Sequence, residues 1–275
     1  MSAVIGILIV IGILIGAAIE TLKENLKRFK KTTDMKTAKK YKLTDETIQV
    51  SGHTLHRIEA LTDFINAHKG EKGGFIESEE NLSQEDDCWI FDDAKVWGDA
   101  KVLNNAVVCR NAYVYGNARV YGDALIRGRA EVFGDATVYV NARICDNAKV
   151  WDKATIYDGA VISGNAEVCG RAKVCGRAEV AGDAKVTDNS DYIVFKNWWS
   201  SGRYFTWTRS NNMWSVGCFY GTGEELITKA YKDSELSGRE YERVVKYVES
   251  ILKDNENDKR RTDNNCVQGV SRRIS

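Results

Sequence analysis

The chain has 275 residues, 43% hydrophobic and 28% charged, with 39 basic and 39 acidic side chains. This composition excludes a disordered chain, and zero net charge excludes a globally basic nucleic-acid binder. Proline is absent where ordinary usage would give about 14, which excludes collagen-like and polyproline readings.

Ser2 to Ile19 is an uncharged, largely apolar run of 18 residues. That length suffices for a spanning helix, and no basic residue precedes it as a signal peptide would require. Residues 20–42 follow with nine Lys or Arg against three acids. The positive-inside rule predicts a single-pass inner-membrane protein with its N-terminus outside and the bulk of the chain cytoplasmic. Gly12 and Gly16 form a G-x-x-x-G pair within the run, a spacing that lets two such helices approach closely.

Residues 43–93 read as an N-terminal cap module. Thr47–Val50 and His53–Ile58 predict a hairpin around Ser51-Gly52, Leu55 to Ala67 a short helix, and Trp89-Ile90 a lead into the segment that begins at Ala94.

Residues 94–189 are periodic. Alanine recurs at every sixth position from Ala94 to Ala184, sixteen times, and each is followed two residues later by Val or Ile, from Val96 to Val186. The unit is A-x-[VI]-x-[GD]-[DN]. Residues two apart in an extended segment share a face, and Gly, Asp and Asn tolerate the positive φ of a tight corner. Strand and corner repeated in this way predict a parallel β-solenoid. Three hexapeptides per coil put Trp97, Tyr115, Phe133 and Trp151 in one outward column, and Tyr121, Tyr139 and Tyr157 in a second. The third column is Cys109, Arg127, Cys145, Ser163 and Ala181. This segregation of aromatics supports 18 as the period. Sixteen hexapeptides then make about five coils, roughly 25 Å long at the interstrand spacing.

Residues 190–253 are rich in aromatics and predict a β-meander followed by two helices, a mixed α+β C-terminal cap; residues 254–275 read as a disordered tail. The seven cysteines form no C-x-x-C and read as reduced side chains.

The repeat resembles the hexapeptide-repeat, left-handed parallel β-helix superfamily, in which an aliphatic residue stands four before a small one, here Val96 before Ala100 and Val102 before Ala106. Aromatic or Cys residues after the aliphatic (Trp97, Cys109, Tyr115) make it more similar to the YdcK-like branch, a branch with no established enzymatic activity. The starts Y-K-L-T-D-E-T-I (Tyr41–Ile48) and G-G-F-I-E-S-E-E-N-L-S (Gly73–Ser83) are similar to those of bacterial and prophage proteins.

The transferases of that superfamily use a histidine base, because a hydroxyl or amine must lose a proton near neutral pH. Here the histidines are His53, His56 and His68, all before the repeat. No catalytic residue, metal ligand or cofactor is expected, and the corner Asp and Asn are read as turn residues. Two surfaces are candidates for binding. Lys101, Arg119 and Lys173 run beside Tyr121, Tyr139 and Tyr157 with no acid in their column, a stripe suited to an anionic polymer or to solubility alone. Tyr204, Trp207, Arg209 and Trp214 are either a recognition surface or the filling of the cap. The third face, with Val107, Leu125 and Val161, is expected to pack against a trimer axis, the C-terminal helix or a partner. The functional expectation is a non-enzymatic, membrane-anchored scaffold or interaction module. The alternatives are a bactofilin-like self-assembling scaffold and a transferase acting in trimer clefts.

Overall fold

The structure, a computed structural model, describes residues 23–24, 39–199 and 202–271, with side chains described as far as Asp254. The apolar run at 2–19 and most of the basic segment after it lie outside the described residues. Among those described, no helix is long and apolar enough to cross a membrane.

The expected hairpin is present and longer. Strand β1 (Tyr41–Val50) pairs antiparallel with β2 (His53–Ala60) across Ser51 and Gly52, at φ of 50° and 87°. Positive φ at both central residues matches the right-handed twist of the two strands. No helix forms between Leu55 and Ala67. Strand β2 runs on to Ala60, and the chain turns back through a Phe64–Ala67 bridge. The apolar spacing there is that of a strand buried on both faces: Leu55 packs with Phe75 and Trp97, Ile58 in the main core.

Strand β3 (Lys72–Ile76) carries the sheet into the solenoid, its Phe75 and Ile76 opposite Lys95 and Val96. Leu82 bridges Val102, and β4 (Trp89–Ile90) pairs with Val107–Val108. These three sides form a whole coil ahead of Ala94, so the solenoid has about six turns instead of five. Ile76 and Leu82 stand 20 residues before their partners, whereas Ile90 stands 18 before its own. Two extra residues between Leu82 and Trp89 thus hide this coil from a search at period six.

Sixteen two-residue strands follow, from β5 (Lys95–Val96) to β20 (Lys185–Val186), forming three parallel sheets in strict 18-residue register. Every repeat Ala and every Val or Ile two residues later is buried at 0–1% exposure. The fifth position of the first fifteen units, from Gly98 to Gly182, has positive φ, whether Gly or not, while Asp188 in the last is extended at φ −142°. The corner closes with the alanine N–H on the carbonyl three residues back, as from Ala148 to Cys145 at 3.1 Å.

The meander is β21 (Tyr192–Lys196), β22 (Tyr204–Thr208), β23 (Met213–Val216) and β24 (Phe219–Gly221), all antiparallel. Helices α1 (Gly223–Asp233) and α2 (Glu235–Ser271) follow. Thr222 caps α1 reciprocally with Glu225. Val245 and Val248 of α2 bury against Phe205, Trp207, Trp214 and Leu226. Helix α2 continues through residues 254–271, which composition alone marked as unstructured.

Both ends of the solenoid are sealed. At the C-terminal end the last strand on each side would leave a backbone N–H without a partner. The N–H groups of Lys173, Glu179 and Lys185 donate instead to Asn189 Oδ1 (2.8 Å), Thr206 Oγ1 (2.8 Å) and Ser210 Oγ (2.7 Å). At the other end it is carbonyls that need donors. Lys40 Nζ reaches the carbonyls of Glu85, Asp86 and Cys88, Tyr41 Oη that of Leu82, and an Arg57 N–H that of Gly73. Burial drives the Lys40 ammonium below its ordinary range and the Tyr41 phenol above its own.

Candidate functional site

The outward columns form two ladders. On the first face Trp97, Tyr115, Phe133 and Trp151 stack with centroids 4.5, 4.9 and 5.7 Å apart and planes within 5°. Tyr115 donates to Glu131, and burial beside that carboxylate pushes its phenol up to about 12. On the second face Tyr121, Tyr139 and Tyr157 stack at 5.0 and 5.2 Å. The Tyr157 phenol is held up at about 12, first by its hydrogen bond with Cys175. Stacking at this distance uses the ring faces on one another and leaves their edges outward.

The basic companions of the second ladder are less basic as a group than their column suggested. Lys101 is paired with Glu80 at 2.9 Å, an acid from the first coil. Arg119 lies with Lys101 along a shallow groove of about 570 Å³ that Asp99 and Asp135 also line. Lys173 sits at the sealed end, where its carbonyl accepts from Tyr192 Oη at 2.9 Å. Two acids on the adjoining corner and one from the preceding coil thus offset the charge of the stripe. The column was free of acid, but its neighbours are not.

The four aromatic-module candidates separate. Trp207 and Trp214 are only 1% and 2% exposed and face each other across β22 and β23. They fill the cap, so the expected recognition surface does not include them. Their position follows from strand alternation: Phe205, Trp207 and Trp214 turn to the side that the helices cover. Arg209 is exposed and its guanidinium donates to the Ser190 carbonyl at 3.2 Å, bracing the cap. Tyr204 is half-buried, with the Arg177 guanidinium 5.9 Å and Lys196 Nζ 6.0 Å from its ring.

The corner acids and amides bond from coil to coil. Asn117 donates to Asp135 at 2.9 Å and Asn165 to Asp183 at 2.9 Å, while Asp146 and Asp152 accept the N–H groups of Gly164 and Gly170 at 3.1 Å each. Among the described residues no group of three His, Cys, Asp or Glu is placed to hold a metal ion. His53 binds Glu77 at 2.8 Å and His56 the Thr44 carbonyl at 3.2 Å, both in the N-terminal module. The six cysteines whose side chains are described are all free.

The upper end of the third face is covered by the C-terminal sheet, with β22 against the strand Glu179–Val180 and Tyr220 Oη on the Ala181 carbonyl at 3.3 Å. Sequence reasoning did not bring together Arg143, Arg177 and Arg203, which line the cleft at this junction. They lie in three separate segments, and only the docking of the cap makes them neighbours.

Among known families, the model described as YdcK Beta solenoid repeat matches residues 112–128, nearly one whole coil. The solenoid of this chain thus carries a repeat similar to the YdcK β-solenoid repeat. No curated protein matches the chain.

Proposed function

We propose that this chain is a non-enzymatic scaffold, a rigid solenoid held at the cytoplasmic face of a membrane by residues 2–19. The observation that carries the reading is a rod of about six turns with no loop inserted in its repeat and side-chain caps at both ends. A loop or a neighbouring wall is what would shape a substrate pocket on such a surface, and the repeat supplies none from its own chain. The hexapeptide unit favours the left-handed sense for the coil. The sealed ends favour a discrete particle over bactofilin-like end-to-end growth, because stacking needs open strand edges. The apolar run followed by nine basic residues supports the anchor.

Fractionation of cells expressing the full chain or a variant lacking residues 1–32 tests the anchor. The full chain is expected with the membranes and the variant in the soluble fraction; a variant that stays with the membranes refutes the anchor. Electron microscopy and light scattering of the detergent-solubilised chain test the scaffold reading. Filaments that lengthen with concentration would replace the discrete scaffold by a self-assembling one.

A further inference from the structure

We propose that the cleft between the third face and the C-terminal sheet binds a phosphate-bearing small molecule through Arg143, Arg177 and Arg203. Arg143, Val161 and Glu179 are successive rungs of the third face and form its floor. Arg177 comes from the adjoining corner. Its Cγ would stand 3.0 Å from a methyl placed on Gly159, so the glycine one coil below leaves room for this side chain to lie across the corner. Arg203 comes from the cap, just before β22, and its guanidinium carbon would be 3.9 Å from a methyl on Gly217. Tyr204 completes the wall.

Three arginines line a space of about 330 Å³, and among the described residues no ion pair or side-chain hydrogen bond engages any of them. By contrast, Arg57 in the N-terminal module holds Glu46 at 2.6 Å and Asp93 at 3.3 Å. Glu179 is the one acid lining the cleft, and burial keeps its carboxyl above the usual range, which weakens its claim on the arginines. The cleft thus carries an excess of positive charge with unused donors. Planar guanidiniums present paired N–H groups that fit a phosphate oxygen pair, and several of them around one space suit a doubly charged group. The volume lies near the lower limit for small-molecule sites, which fits a phosphorylated small molecule and excludes a long polymer track. Tyr204 offers an apolar ring beside the anion for the remainder of the ligand.

Isothermal titration of the full chain in detergent, with inorganic pyrophosphate and with malonate at matched ionic strength, tests the proposal. Saturable binding of pyrophosphate is expected, with malonate much weaker. Arg177→Gln and Arg203→Gln together should weaken pyrophosphate by roughly tenfold or more, the scale of a lost charge-assisted contact. Arg119→Gln on the second face should leave it unchanged. Both arginines of the double variant are exposed, so its melting temperature should match that of the parent. Should the double variant melt early, Arg203→Gln alone gives the same test. Absence of saturable heat, equal affinity for malonate, or an equal loss in Arg119→Gln would each overturn the assignment.

Discussion

The seal at the C-terminal end rests on three side-chain oxygens in different surroundings, and that difference can be measured. Thr206 is 1% exposed and accepts the Glu179 N–H at 2.8 Å; Ser210 is exposed and accepts the Lys185 N–H at 2.7 Å. Thr206→Val keeps the shape and exchanges a hydroxyl for a methyl. Burying that methyl contributes about 0.8 kcal/mol. Stranding a buried N–H costs about 1–3 kcal/mol, because no water replaces the acceptor. The balance is a loss of about 0.2–2 kcal/mol, centred near 1 kcal/mol, which is roughly 2–4 °C in melting temperature for a domain of this size. Ser210→Ala removes a bond of nearly the same length, but water can take the oxygen's place, so the change should stay within about 0.5 kcal/mol. Urea denaturation followed by tryptophan fluorescence reads both variants. Equal losses, or a neutral Thr206→Val, would refute the idea that the cap works by satisfying buried backbone groups.

Other perturbations probe the corners, the ladders and the buried acid. Val140 is a β-branched residue at φ 59° and 38% exposed, so Val140→Asn should stabilise by about 1 kcal/mol in thermal melts. Gly128→Ala and Gly176→Ala share the positive-φ penalty, but only the first brings a methyl within 2.8 Å of the Asp146 backbone. Gly128→Ala should therefore be the more destabilising by about 2 kcal/mol, measured in urea. Tyr139→Ala breaks two stacked contacts and should cost about 1–3 kcal/mol, while Tyr139→Phe should be nearly neutral by the same assay. Burial raises the Glu179 carboxyl above its unfolded value, so its contribution is fully present below the ordinary glutamate range and lost as pH rises through the folded-state value. Glu179→Gln should accordingly be more stable than the parent at pH 8, and the difference should vanish in acid; a difference independent of pH would count against burial as the cause.

The interior of the solenoid and its outward columns were legible in the sequence because both depend on spacing alone. Alanine and valine two apart, repeated at six, leave one arrangement that buries them all, and folding at 18 placed Trp97 over Tyr115 and Tyr121 over Tyr139. What broke the spacing was lost. The first coil, from Phe75 to Ile90, escaped because two extra residues put Leu82 out of phase, although Cys88 and Ile90 keep the alanine and valine places of the repeat. Charge balance was lost for a related reason: Glu80, which neutralises Lys101, belongs to that hidden coil. The sequence left open whether Trp207 and Trp214 recognise a partner or fill the cap, because an aromatic strand carries no mark of which side the helices will cover. The arginine cleft needs residues 143, 177 and 203 together, and no local pattern contains them all.

Because each side chain in the rod rests on its counterpart eighteen residues away, the length of this molecule is quantised. Adding or removing eighteen residues would move the two caps apart or together by one rung, about 4.8 Å, and keep their mutual orientation. Adding or removing six would preserve the apolar interior equally well, yet swing the C-terminal cap a third of a turn around the axis, from one face to the next. Deletions and duplications of equal energetic tolerance would thus have opposite geometric effects. The fold is a ruler graduated in rungs and a dial with three settings, and whatever its two ends engage meets them at one distance and one angle.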